Sequence, residues 1–249
     1  MARPTILMRV KTLFFPNDRM MGFLMEAELL NAQRILKTPT RPFTAIVGGA
    51  KVSDKVLIIE NLLHIASDII IGGGMAYTFA KAQGGEMGNS LFEAARIEVV
   101  LDIFKKAKEL GVSIHLPVDS VVADSFAENA HTQTVDTHHI PEGWMGLDIG
   151  PDAQEVFRRI ISRSSTVLWN GPAGYFENPN FANGTKEILE IIAGKRVKDK
   201  IYAVAGGGET VAVINKFNKL ETFNFVSTAG GAFLEYLEGK ELPGIKALN

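Results

Sequence analysis

The 249-residue chain has no cysteine, which removes disulfides, thiolate nucleophiles and cysteine-ligated zinc from consideration. That composition is compatible with a reducing compartment. Charge of one sign is not in excess: 26 Lys and Arg stand against 28 Asp and Glu, a formal net charge of -2. No run of Lys and Arg is long enough to follow a nucleic-acid backbone, so nucleic acid is not an expected partner. No apolar run approaches the length that spans a bilayer, so a membrane is not expected either. Two common nucleotide loops are missing as well. Gly72-x-Gly74 meets Tyr77, and Gly206-x-Gly208 meets Val211, where the dinucleotide fingerprint needs a third glycine; a Gly-Lys-Ser/Thr loop is absent. A dehydrogenase is thereby made a weak reading, and small molecules remain the expected partners.

What is present is a repeated unit of strand, glycines and helix. Length allows one large α/β domain or two small ones. Residues 1–21 read as an arm: Arg3, Arg9, Lys11 and Arg19 surround the short apolar piece Leu13-Phe14-Phe15, which stops at Pro16. The piece is too short for a secretory signal, and the serine richness of a transit peptide is lacking. From Gly22 to Asn249 the pattern predicts one α/β domain. A helix runs from Phe23 to Leu36. Strands are expected at Thr44–Val47, Ile69–Ile71, Val112–Val118, Thr166–Trp169, Ile201–Val204 and Phe225–Ser227. Helices follow toward His64, from Met75 to about Gln83, through Ile97 to Gly111, around Val156–Ile161, from Thr185 to Ile192, and to Leu237. Apolar strands joined by helices imply a mainly parallel sheet in a three-layer, Rossmann-like arrangement. The stretch from Val118 to Pro141 reads as a polar connection containing His138 and His139, which are expected to be solvated.

Ala45-Ile46-Val47-Gly48-Gly49-Ala50-Lys51-Val52-Ser53-Asp54-Lys55 shows the unit most clearly. Two glycines after an apolar strand permit a tight turn whose amides face one point. If a helix begins near Ala50, Lys51 and Lys55 project from one face beside that point. A single Gly-Gly turn is more often merely a turn, and its lysines merely solvated. Here, however, further glycine turns at Gly72-Gly73-Gly74, Gly206-Gly207-Gly208 and Gly230-Gly231 would line the same carboxyl rim of the sheet, where ligands of open α/β folds sit. Phosphate is the indicated guest.

Several strings then resemble a family. Gly48-Gly49-Ala50-Lys51-Val52-Ser53-Asp54-Lys55, Gly72-Gly73-Gly74-Met75-Ala76, Leu116-Pro117-Val118-Asp119, Gly143-Trp144-Met145-Gly146-Leu147-Asp148, Trp169-Asn170-Gly171-Pro172 and Ser227-Thr228-Ala229-Gly230-Gly231-Ala232 occur in the order found in phosphoglycerate kinase, in its carboxyl-terminal, nucleotide-binding half. The resemblance is visible from about Gly22 onward. It implies phosphoryl transfer between ATP and 3-phosphoglycerate with magnesium in glycolysis, in the cytoplasm. It implies that Lys51 follows the transferring phosphoryl group, and that Lys55 holds the inner phosphates. By the same resemblance Gly72, Gly73, Gly146 and Leu147 form the adenine slot, Glu177 takes the ribose hydroxyls, and Asn170 and Thr210 lie near the phosphates. Gly48, Gly49, Ala50, Gly206, Gly207, Gly208, Thr228, Gly230 and Gly231 complete the nucleotide bed.

Two residues depart from the family pattern. Glu209 stands where an aspartate holds magnesium, which puts direct coordination in question, and Ala229 stands where glycine is commoner. The amino-terminal domain that binds 3-phosphoglycerate in the family is not recognisable here. Arg158, Arg159 and Arg163 precede a strand on a helix, and so fall on the far rim. The lone chain is therefore expected to bind ATP or ADP with little or no turnover, and to leave one end of the Phe23 helix uncovered as an apolar patch. The alternative is a nucleotide-binding module without catalysis of its own.

Overall fold

Strand residues that alternate between two cores fix the architecture. The computed structural model describes residues 20–199 and 201–248, and the expectations for residues 1–19 lie outside it. In chain order the described residues form helix α1 (Phe23–Lys37), strand β1 (Phe43–Val47), α2 (Val56–Leu62), β2 (Asp68–Ile71), α3 (Met75–Ala82), β3 (Glu86–Met87), α4 (Ile97–Leu110) and β4 (Ser113–His115). They continue with β5 (Asp119–Ala123), β6 (Thr132–Asp136), β7 (His139–Ile140), β8 (Met145–Ile149), α5 (Pro151–Ser162), β9 (Thr166–Asn170) and α6 (Asn183–Asp199). The last elements are β10 (Tyr202–Ala205), α7 (Gly208–Lys216), β11 (Phe225–Val226), α8 (Gly231–Leu237) and α9 (Pro243–Leu248).

Phe43, Ala45 and Val47 of β1, with Ile69 and Ile71 of β2, enter one core with α1, α2, α3, α4 and α8. Ile46 and Ile70 enter the other, with Trp169 of β9 and the apolar faces of α5, α6 and α7. This period of two, buried on both sides, requires helices on both faces, and so gives the three expected layers. Six strands form the main sheet in the order β11-β10-β9-β1-β2-β4, and every pairing in it is parallel. From β1 the chain builds outward through β2 to β4, then returns to the other side of β1 as β9. The strand order therefore reverses between β1 and β9, where a crevice opens at the carboxyl rim.

Three expectations are corrected. Lys51 is in extended conformation (φ -127°, ψ 135°), a single 3-10 turn spans Val52–Asp54, and α2 starts only at Val56. The amide of Ser53 donates to the Glu93 carboxylate at 2.9 Å, which ties the turn to a distant segment, so Lys51 and Lys55 do not share a helix face. The strand expected at Val112–Val118 ends at His115, because Pro117 cannot donate to a ladder; the chain then leaves the main sheet. The polar stretch is not a plain connection: β6, β5 and β8 form an antiparallel three-stranded sheet, and β3 pairs with β7. His138 bonds to Gln83 at 3.0 Å, and His139 is exposed.

The far-rim placement of the arginines is observed for Arg163, whose guanidinium meets Asp68, the first residue of β2, at 2.6 Å. Arg158 pairs with Glu187. At the start of α1, Phe23 is 92% exposed and Met20 and Leu24 are exposed beside it, an apolar surface that no described residue covers.

Candidate functional site

The turns after β1 and β9 are locked into one another. Gly48 donates its amide to the Asn170 carbonyl at 2.8 Å, and Gly73 donates to the Ala173 carbonyl at 2.9 Å. A Cβ on Gly48 would lie 2.0 Å from the Pro172 carbonyl oxygen, and one on Gly171 would lie 2.1 Å from that of Gly48. These glycines are required by backbone packed on backbone. The Gly48 and Gly73 amides are taken by these bonds and the Gly72 amide by the Val47 carbonyl at 2.9 Å, so none of the three is offered to a ligand.

Below this junction a chain of polar contacts leads from α2 to α7. Lys55 donates to the Asn170 side-chain oxygen at 2.5 Å, the Asn170 amide group donates to the Gly206 carbonyl at 2.7 Å, and the Gly171 amide donates to the Thr210 hydroxyl at 2.7 Å. Asn170 and Thr210 are buried, so both position the turns rather than face the crevice. Burial lowers the pKa of Lys55, with the carboxylates of Glu209, Asp54 and Glu238 acting in the opposite direction. A partly desolvated ammonium of this kind gains when an anion arrives. The amides that open α7, those of Gly208 and Glu209, have no intrahelical acceptor.

The crevice itself has a volume of about 400 Å³. Of the residues expected from sequence, Gly49, Ala50, Gly73, Gly146, Leu147, Glu177 and Glu209 line it. Leu91, Phe126, Met145 and Tyr175 add an apolar end. Phe126 and Tyr175 meet edge to face, with ring centroids 5.9 Å apart. Tyr77 lies under the Gly146 wall, where a Cβ would fall 2.1 Å from its ring. Glycine at 146 is thus needed by Tyr77 on the inner side of β8. Asp148, on the same strand, is buried and accepts from the Gly184 amide at 2.7 Å and from its neighbour Ile149 at 2.9 Å. Burial nevertheless pushes its pKa up to about 7.

Some expected residues stand apart. Lys51 is exposed just beyond Ala50 and does not line the crevice, and neither do Thr228, Gly230 and Gly231. The Thr228 amide and hydroxyl both donate to Glu28 of α1, at 2.7 Å and 3.0 Å. Thr228 borders a second, larger cavity of about 540 Å³ between α1 and α8, lined by Leu24, Met25, Phe233 and Tyr236. That cavity is mostly apolar, whereas Lys55, the amides opening α7, Glu177 and Glu209 lie at or beside the β1/β9 crevice. Sequence reasoning missed Tyr77, Asn89, Phe126 and Tyr175. An isolated phenylalanine in the polar run Asp124–Asn129 was the one available signal.

Fold and site together define an open α/β protein with a crevice at the switch point of a parallel sheet, apolar at one end and bounded at the other by Gly49, Ala50 and Glu209, with Lys55 beside it but not in its lining. A model of the phosphoglycerate kinase family matches residues 7–240, and the chain belongs to that family. The match starts at residue 7, ahead of the Gly22 from which motifs were visible. Proteins named phosphoglycerate kinase from Sterkiella nova and from Porphyromonas gingivalis are 51% and 48% identical to it, over 94% of this chain and 56% of each relative. Solved phosphoglycerate kinases are similar in structure. The one from Coxiella burnetii is 40% identical with a TM-score of 0.86, over 91% of this chain and 58% of that one. The one from Pyrococcus horikoshii is 30% identical with a TM-score of 0.79, over 99% of this chain and 60% of that one. The chain thus spans a little over half the length of these relatives.

Proposed function

We propose that this chain is the ATP- and ADP-binding half of a phosphoglycerate kinase, working in glycolysis in the cytoplasm. The observation that carries the reading is the β1/β9 crevice, whose apolar end suits a purine and whose other end, at Gly49 and Glu209, has Lys55 beside it: Lys55 Cε and a Glu209 carboxylate oxygen each lie 3.8 Å from an ideal Gly49 Cβ. In this reading the base lies between Gly146-Leu147 and the turn at Gly73, Glu177 accepts from the ribose hydroxyls, and Lys55 faces the inner phosphates. Asn170 and Thr210 hold the turns that carry these groups. Lys51, exposed on extended chain, is free to follow the phosphoryl group as it moves.

Glu209 fits a magnesium site of the kind completed by substrate. Its carboxylate is exposed at the first turn of α7, with one oxygen 3.8 Å from where a Gly49 Cβ would be. Among the described residues no three His, Cys, Asp or Glu gather to form a cage. Magnesium is commonly held by one or two carboxylates together with phosphate oxygens and water, so the ion would come with the nucleotide. When bound it neutralises charge on the phosphate oxygens. The residues of this chain supply the rest: Lys55 and the amides opening α7 orient the phosphate chain, and the apolar walls exclude water from the base.

Turnover of 3-phosphoglycerate requires a second half to hold the acceptor in line, because effective molarities of ~10⁵–10⁸ M depend on both reactants being held. The open apolar end of α1 supports such a partner. The alternative reading, a nucleotide-binding module alone, keeps the same crevice without that partner. Titration calorimetry should detect ADP binding that Lys55→Ala weakens by about 1–3 kcal/mol. Unchanged affinity removes Lys55 from the site. A coupled assay with 3-phosphoglycerate should show turnover only after a separately expressed amino-terminal half is added. Full turnover by the lone chain would refute that part, and none after addition would favour the module.

A further inference from the structure

We infer that Asn89 reads the position-6 edge of the purine and sets the base preference of the crevice, an inference that rests on the nucleotide reading above. Its backbone is fastened on both sides. Gly88 (φ +49°) sits so tightly that a Cβ would fall 2.3 Å from the Pro141 carbonyl oxygen and 2.5 Å from that of Trp144. The Asn89 amide donates to the Trp144 carbonyl at 2.8 Å, and the next residue, Ser90, accepts the Gly146 amide on its hydroxyl at 2.9 Å. The segment is therefore laced to the strand that carries Gly146 and Leu147. Asn89 lines the crevice and is exposed, and among the described residues its side chain makes no hydrogen bond.

The other neutral polar side chains that line the crevice are the two tyrosines. The Tyr77 hydroxyl turns inward to Ser120 at 3.4 Å; Tyr175, itself exposed, packs its ring on Phe126 and offers a hydroxyl, a single oxygen rather than a donor and an acceptor side by side. Leu91, Met145 and Leu147 can recognise shape but not a hydrogen-bond pattern. A carboxamide carries a donor and an acceptor side by side, and turning it over exchanges them. It can thus accept from a 6-amino group or donate to a 6-oxo group, the differences by which purines are told apart along that edge. A carboxylate at the same position could only accept.

The test is calorimetric titration with ADP, inosine diphosphate and purine riboside diphosphate, which lacks any 6-substituent. The wild-type chain should prefer ADP to purine riboside diphosphate by about 3- to 10-fold, the size of one net hydrogen bond. Asn89→Ala should bring that ratio to about 1, and Asn89→Asp should keep ADP while losing inosine diphosphate by at least about 10-fold. Thermal melts of both variants should match the wild type, since the side chain holds nothing in the fold. An Asn89→Ala variant that still binds ADP with the wild-type ratio overturns the assignment and leaves the nucleotide reading standing. No ADP binding by the wild-type chain overturns both.

Discussion

Replacing Gly146 by alanine tests how the crevice wall is built. An ideal Cβ at Gly146 lies 2.1 Å from Tyr77 Cζ, 2.2 Å from its hydroxyl oxygen and 2.5 Å from Cε1, whereas ordinary contact begins at 3.4 Å. The ring would have to retreat by about 1.3 Å, from 2.1 to 3.4 Å. It has little room to do so. Tyr77 is buried among Met87, Val122 and Ile140, and behind its hydroxyl Ser120 is bonded to Thr137 at 2.7 Å. Overpacking of this kind costs about 1–3 kcal/mol. At roughly 2–4 °C per kcal/mol for a domain of this size, the melting temperature should fall by about 2–12 °C. Because the wall must move, ADP affinity should fall as well.

The cause is isolated by a double-mutant cycle measured by urea unfolding. Tyr77→Leu removes the ring, so Gly146→Ala added to it should cost little, giving a coupling of about 1–3 kcal/mol. Tyr77→Phe removes only the hydroxyl oxygen and leaves Cζ in place, so it should rescue little. If the Gly146→Ala and Tyr77→Leu costs add within about 0.5 kcal/mol, the ring is not what glycine makes room for, and the reasoning fails.

Asp148 predicts a pH dependence of stability. Its pKa of about 7 in the fold lies above the unfolded value near 3.8, so its favourable contribution is complete below about pH 4 and is lost as pH rises through about 7, up to about 4 kcal/mol at 1.36 kcal/mol per pKa unit. The stability of Asp148→Asn relative to wild type, from urea unfolding at pH 5 and pH 8, should therefore rise with pH; a constant difference would mean that the Gly184 and Ile149 amides keep the carboxylate ionised. For the metal, Glu209→Ala should abolish the magnesium dependence of ADP binding, and Glu209→Asp should retain or tighten it. Calorimetry with and without magnesium reads both, and an unaltered magnesium dependence in Glu209→Ala removes that residue from the ion.

Most of the main sheet was legible because β1, β2, β9, β10 and β11 are largely apolar runs that end in glycine or in a polar turn, a local signal that needs no knowledge of neighbours; β4, Ser113-Ile114-His115, is the exception. The inserted antiparallel sheet was not. In β6, Thr132, Gln133 and Thr134 are exposed, so the strand carries no apolar alternation; what fixes it is antiparallel pairing with β5, the strand just before it across the Asp124–His131 loop. The helical face expected for Lys51 and Lys55 failed for a similar reason: the bond from Ser53 to Glu93 is long-range, and spacing alone does not reveal it. At the site the glycines could be seen and their neighbours could not. Phe126 and Tyr175 meet across two loops, and no periodicity joins them.

The glycines of the rim, alike in sequence, do two different jobs, and the difference bears on how the site works. Gly48, Gly73 and Gly171 have protein backbone where a Cβ would go, so a side chain at Gly48 or Gly171 forces the β1 and β9 turns apart and one at Gly73 forces the β2 turn away from both. Gly208 and Gly231 have open space within 4 Å of that position, so the fold alone does not require glycine there. The first group makes the crevice possible by letting two strands end against each other at the switch point. The second leaves helix starts uncovered, where an approaching ligand can reach them. A rim of this design is rigid at its floor and open at its helix starts, and in it Lys55 is already held by Asn170. Such preorganisation leaves less ordering to be done on binding, so on the proposed nucleotide reading ADP affinity should depend more on the anchoring of Asn170 and Thr210 than on any one exposed contact.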